Sequence, residues 1–114
     1  MIAGARILGP VFALVVGLGG MSATAYSAEL TKAEKARVQK QGELSGMAQV
    51  CGLNWRALSF RPMMSYWRRS GKSEQELALI GMLHGAAQGY FAAGASVCTN
   101  EMRRKIKTQL PFKG

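Results

Sequence analysis

Residues 77–96 read LALIGMLHGAAQGYFAAGAS. The stretch is apolar and uncharged, yet it holds a histidine and regularly spaced glycines. A chain that contains it must put it in lipid, surround it with other helices, or set a cofactor against it. Gly81, Gly85, Gly89 and Ala93 fall four apart and so share one face of a helix. Such a stripe is a groove that admits a neighbouring backbone, and in membranes it pairs helices. His84 and Gln88 near the centre are costly in hydrocarbon, which argues against a span. Ser73 and Glu76 open the segment with a capping box suited to a helix in water. The stretch therefore reads as the central helix of a small helical domain, apolar on most sides because neighbours enclose it. The expectation is that the first helix lies in the groove of Gly81, Gly85, Gly89 and Ala93. Leu79, Met82, Leu83, Tyr90 and Phe91 are expected to bury against Trp55, Leu58 and Trp67.

The chain has 114 residues, enough for one small domain. Its start has the three parts of a secretory signal peptide: a basic residue at Arg6, an apolar run from Ile7 to Gly20, and small residues at Ser22, Ala23, Thr24 and Ala25. Residues 1–25 are read as the signal peptide, with cleavage after Ala25 or Ser27, and residues 26–114 as a single helical domain. Loss of Arg6 leaves 14 basic and 6 acidic residues, a formal charge of +8, and every acid is a glutamate.

Cys51 and Cys98 both fall in the mature part. An even count in an oxidising compartment favours a disulfide between them. For a loop of this size the chain-entropy estimate is roughly 4 kcal/mol, comparable to the whole stability of so small a domain. Joining them requires the first and central helices to run parallel, with residues 52 to 72 carrying the chain back across the domain.

The other elements follow from capping and spacing. Thr31 and Glu34 form a capping box for a first helix whose Leu44, Met47 and Cys51 face the core. Gly42 and Gly46 weaken that helix. Cys51 to Asn54 reads as a stop with a tight corner. Pro62 is expected to bend a helix that starts near Trp55. A break is expected between Ser96 and Asn100. A last helix follows, with Met102, Ile106 and Leu110 on one face and Pro111 ending it. The fold class is all-α: a disulfide-stapled domain of three to five helices behind a signal peptide.

Catalytic chemistry finds little to work with. There is one histidine, no aspartate, no carboxylate pair and no nucleophile motif. The glycines follow no strand and form no phosphate loop. No metal or cofactor motif occurs, since no CxxC or Cys/His cluster exists. A weaker copper(I) reading joins Met82 and His84 to Met63 and Met64. His84 reads first as a neutral core histidine bonded to a carbonyl or to Gln88. Its sharper role is that of a candidate pH switch.

The basic surface is the main functional signal. Arg68, Arg69 and Lys72, with Tyr66 and Trp67 as aromatic contacts, make one patch; Arg103, Arg104, Lys105 and Lys107 make another. Export removes nucleic acid as a partner and leaves anionic lipid, lipopolysaccharide, acidic polysaccharide or acidic protein. A membrane surface fits this reading; a span in the mature chain does not. The expected function is a non-enzymatic periplasmic or secreted protein that binds an anionic envelope component or an acidic protein. The alternative is a stress-responsive periplasmic chaperone. A signal peptide, two cysteines and an all-helical domain resemble, in architecture, the small acid-stress chaperones of the bacterial periplasm. An unidentified enzyme or metal-binding protein ranks third.

Overall fold

The computed structural model describes residues 29–114. The signal peptide expected over residues 1–25 lies outside them. The described chain is all-helical and contains no strand. Its elements are α1 (Lys32–Val50), a π-helical turn (Arg56–Phe60) that runs directly into α2 (Arg61–Arg69), α3 (Glu74–Gly94) and α4 (Asn100–Gln109).

Local chemistry sets the boundaries. Thr31 Oγ1 accepts the Glu34 N–H at 3.0 Å and Glu34 Oε1 accepts the Thr31 N–H at 2.9 Å, so the expected capping box is complete. Ser73 and Glu76 repeat it at α3. Helix α1 stops in a Schellman motif: Gly52 takes φ +76°, its N–H reaches Gln49 O, and the Leu53 N–H reaches Ala48 O. The same arrangement ends α2, where Gly71 has φ +93° and the Lys72 N–H reaches Trp67 O.

Pro62 does not end the helix; the geometry changes from π-helical to α-helical at Arg61, just before it. It sits in the first turn of α2, where its missing N–H is tolerated, and the helix continues through it from the π-helical turn. Its effect appears elsewhere. The carbonyl of Leu58, four residues back, accepts the backbone N–H of Phe112 at 2.9 Å. The segment after α4 is thereby tied to the π-helical turn.

Helices α1 and α3 pack side by side and parallel. Gly42 lies against His84 and Ala87, Gly46 against Gln88 and Phe91, and Cys51 is bonded to Cys98 with Cα atoms 4.9 Å apart. The parallel arrangement and the disulfide both match expectation. The packing groove does not. A Cβ on Gly42 would meet His84 O at 2.5 Å, and one on Gly46 would meet Gln88 O at 2.9 Å. Nothing lies within 4 Å of such an atom on Gly81, Gly85 or Gly89, and Ala93 is exposed. The close-approach glycines thus belong to α1, and the stripe on α3 is an outer face. Met82 and Tyr90, expected in the core, stand on that face with 64% and 87% of their surface exposed.

Two apolar clusters result. Leu30, Val38, Met63, Trp67, Leu77 and Ile80 fill the end near the start of α1. Leu44, Met47, Ala48, Met102, Ile106 and Leu110 fill the disulfide end. The order of residues along α1 and α3 places four buried polar side chains between them: Gln41, Ser45, Ser59 and His84.

Candidate functional site

The buried polar layer joins three elements. Gln41 and Ser45 lie one turn apart on α1, Ser59 belongs to the π-helical turn, and His84 to α3. Gln41 Nε2 donates to Ser59 Oγ at 2.7 Å, and Ser45 Oγ donates to Ser59 Oγ at 2.6 Å. Ser59 Oγ has its remaining donor directed to Gln41 O at 3.4 Å. Ser45 Oγ also meets His84 Nε2 at 2.7 Å, where the tautomer of the imidazole sets which atom donates. The contacts form one continuous chain from His84 through Ser45 and Ser59 to Gln41. The ring of His84 is stacked with Trp55 at 6.0 Å and tilted against Phe60 at 4.9 Å. Burial pushes its pKa down to about 4.

A serine at 2.7 Å from an imidazole has the spacing of a nucleophile and its base. Access for that role is lacking: Ser45 is 0% and His84 1% exposed. The partner expected for His84, Gln88, instead donates to Gln49 Oε1 at 2.9 Å. The copper(I) set does not assemble either, since Met82 faces solvent and His84 the interior. No group of three or more His, Cys, Asp or Glu side chains converges among the described residues, and none of their helices is long and apolar enough to cross a membrane.

Beside the polar layer lies a cleft of about 390 Å³, bounded by α1, α2, the end of α4 and the segment 110–114. Its floor is Met63, Trp67 and Phe112, with Gln41 at the inner edge. Arg37, Lys40, Lys107 and Lys113 surround it, and no acidic side chain lines it. Arg37 is held in place: its guanidinium lies 5.2 Å from the Tyr66 ring centre and 5.0 Å from that of Trp67, and its Nη1 donates to Tyr66 Oη at 3.4 Å. The volume falls within the range of small-ligand sites.

The expected basic residues are distributed differently. Lys107 lines the cleft. Lys72 is engaged with Glu34, Nζ to Oε2 at 2.6 Å, which holds the Glu34 carboxyl below its usual range. Arg103 donates to Asn100 at 2.8 Å, and Lys105 pairs with Glu101 at 3.7 Å. Arg68 and Arg69 are exposed in the last turn of α2, and Arg104 is exposed on α4. Trp67 is a core residue, 4% exposed, rather than a surface contact; Arg37 lies over both it and Tyr66, and the expected Lys72 lies with Nζ 5.6 Å from the Trp67 ring centre.

Arg37, Lys40, Lys113 and the polar layer escape a reading of local spacing. One signal for the layer does exist. Val38, Gln41, Ser45 and Ala48 share the core-facing side of α1, so two polar residues occupy positions that a simple core would fill with apolar ones. No protein-family model, curated protein or solved structure matches the chain.

Proposed function

We propose that this chain is an exported, non-enzymatic helical domain that binds an anionic component of the cell envelope, with a phosphate-bearing headgroup held in the cleft between α1, α2 and segment 110–114. The observation that carries the reading is the convergence of Arg37, Lys40, Lys107 and Lys113 on a cleft with an apolar floor and no acidic side chain. Four like charges brought together repel one another, and an anion relieves that repulsion. The floor of Trp67, Met63 and Phe112 suits a ligand whose charged head carries an apolar body. Export is supported by the Cys51–Cys98 bond, which fits an oxidising compartment. The direct test is co-sedimentation with vesicles containing phosphatidylglycerol. Retention is expected at low salt and release as salt rises. Equal recovery from phosphatidylglycerol and phosphatidylcholine vesicles contradicts the reading. An acidic protein on the same cations is the outcome in which lipid fails and an acidic polypeptide is retained.

A second reading, a stress-responsive periplasmic chaperone, draws on the outer face of α3. Met82 and Tyr90 are exposed on an uncharged stretch of α3 that offers apolar contact to an unfolded client. It predicts suppression of client aggregation. Loss of that suppression in Met82→Ser/Tyr90→Ser is the distinguishing result.

A further inference from the structure

We propose that the cleft is gated by acid: a proton on His84 acts through Ser45, Ser59 and the π-helical turn on both walls of the cleft, and anion binding is lost as the histidine charges. The inference rests on the reading of the cleft as the anion site.

The π-helical turn is the shared support. On one side Ser59 holds the amide of Gln41, a buried residue that lines the cleft. On the other, the neighbouring Leu58 carbonyl holds the N–H of Phe112, which fixes the segment bearing Lys113. Both walls are thus anchored to adjacent residues of one turn. The same Ser59 is joined to His84 through Ser45.

Nothing around His84 accommodates a positive charge. From α1 it meets Gly42 and Ser45, with Gln41 beyond; from the turn it meets Ser59, Trp55 and Phe60; its neighbours along α3 are Ile80 and Gln88. None of these is ionisable. The charged groups beside these residues in the chain are exposed: Arg56 lies 4.5 Å above the Trp55 ring, and on α1 Lys40 precedes Gln41 and Glu43 follows Gly42, with their side chains at the surface. A second proton on the ring needs an acceptor of its own, and among the described residues the one hydrogen-bond contact of the imidazole is with Ser45. The charged ring must then reach water.

Of the elements around the ring, the turn gives way first. Helices α1 and α3 are joined by the disulfide and by backbone contact at Gly42 and Gly46. The turn contributes one buried residue, Ser59, and its aromatic rings are only half-buried. Movement of the turn frees the Gln41 amide and the Phe112 N–H together; Lys113 leaves with its segment, while Arg37 and Lys40 stay on α1 and Lys107 on α4, and the cleft loses the wall that closes it.

The sign of the pH effect separates this gate from an ungated basic surface. On acidification the six glutamates lose charge and the protein becomes more positive. A plain basic surface therefore holds an anionic vesicle more tightly in acid. A gated cleft holds it less tightly. By linkage, an anion that binds the closed cleft lowers the His84 pKa, whereas simple attraction to a nearby anion raises it.

The test uses phosphatidylglycerol vesicles, whose phosphodiester stays charged throughout, from pH 7 to 3.5, with the wild-type protein and His84→Gln. Glutamine keeps a donor for Ser45 and does not titrate. With the His84 pKa at about 4, about one quarter of the rings are neutral at pH 3.5. Wild-type retention is therefore expected to fall about fourfold between pH 6 and pH 3.5, while His84→Gln stays level or rises. Binding at pH 7 that rises in acid equally for both proteins overturns the gate and leaves the cleft reading standing. Absence of binding at pH 7 and low salt removes the cleft reading and the gate with it. Should His84→Gln not fold, NMR titration of the single histidine in the wild type decides, with and without a soluble short-chain phosphatidylglycerol. A lowered pKa on ligand addition supports the gate, and an unchanged or raised one overturns it.

Discussion

Phe112 donates its backbone N–H to the carbonyl of Leu58 at 2.9 Å, across 54 residues of chain. That carbonyl lies four residues before Pro62, which has no N–H to compete for it. A residue that reads locally as a helix breaker acts here as a reserved acceptor for a distant strand of backbone. Pro62→Ala restores a competing donor. It is expected to leave the helix content intact and to speed amide exchange at Phe112 about fivefold, the equivalent of one hydrogen bond of about 1 kcal/mol. Exchange at Phe112 unchanged by the substitution contradicts this role.

The two sets of glycines should respond in opposite ways. Gly42→Ala and Gly46→Ala insert a Cβ into the backbone of α3, where the available distances are 2.5 and 2.9 Å, so the helices must separate. Each is expected to cost about 2 kcal/mol or more, in the range of overpacked cores. Gly85→Ala and Gly89→Ala meet nothing within 4 Å and have ordinary helical backbone. Each is expected to stabilise by about 0.5–1 kcal/mol through helix propensity. Chemical denaturation of the four variants reads both signs.

Stability should fall with acidification before the carboxylates titrate. His84 has its folded pKa depressed from 6.5 to about 4, so the unfolded chain binds the proton more readily. Its contribution is complete above pH 6.5 and is lost as pH falls towards 4, by roughly 3 kcal/mol. Glu34 adds a second loss lower down. The Lys72 ammonium, then the Thr31 N–H, hold its pKa below the usual value, so its contribution is present above the unfolded value and disappears as pH falls through the folded one. Urea midpoints measured from pH 7.5 to 4.5 should decline for the wild type and be nearly level for His84→Gln.

Cys51→Ser is expected to lower stability by about 2–5 kcal/mol, because the bond closes a 47-residue separation and ties the ends of α1 and α3. Mass spectrometry of the unreduced, denatured wild type should find no alkylatable thiol. Two such thiols contradict both the bond and the oxidising compartment it fits.

Much of the fold is legible along the sequence because it is set by local chemistry. The boxes at Thr31–Glu34 and Ser73–Glu76, the stop at Cys51–Gly52 and the cysteine pair each act through neighbours or through one covalent bond. The site is not legible in that way. Gly42 and Gly46 look like flaws in a helix until α3 lies against them, and Gly81, Gly85 and Gly89 look like a packing groove until they are seen facing outward. Spacing alone cannot say which of two glycine stripes a partner helix will choose. Likewise, Arg37 and Lys40 read as the solvated start of α1. Only the Phe112–Leu58 bond brings Lys113, and the end of α4 brings Lys107, to the same cleft.

The central claim is that binding resides in the cleft and not in charge at large. Its most direct measurement compares vesicle retention of two double variants that carry the same change in net charge. Lys40→Glu/Lys107→Glu reverses two cleft cations; Arg68→Glu/Arg69→Glu reverses two exposed cations in the last turn of α2. With phosphatidylglycerol vesicles at low salt, the cleft pair should weaken binding by about tenfold or more, a loss of about 1.4 kcal/mol, and the α2 pair by much less. Equal losses in the two pairs, or a larger loss in the α2 pair, would contradict the account.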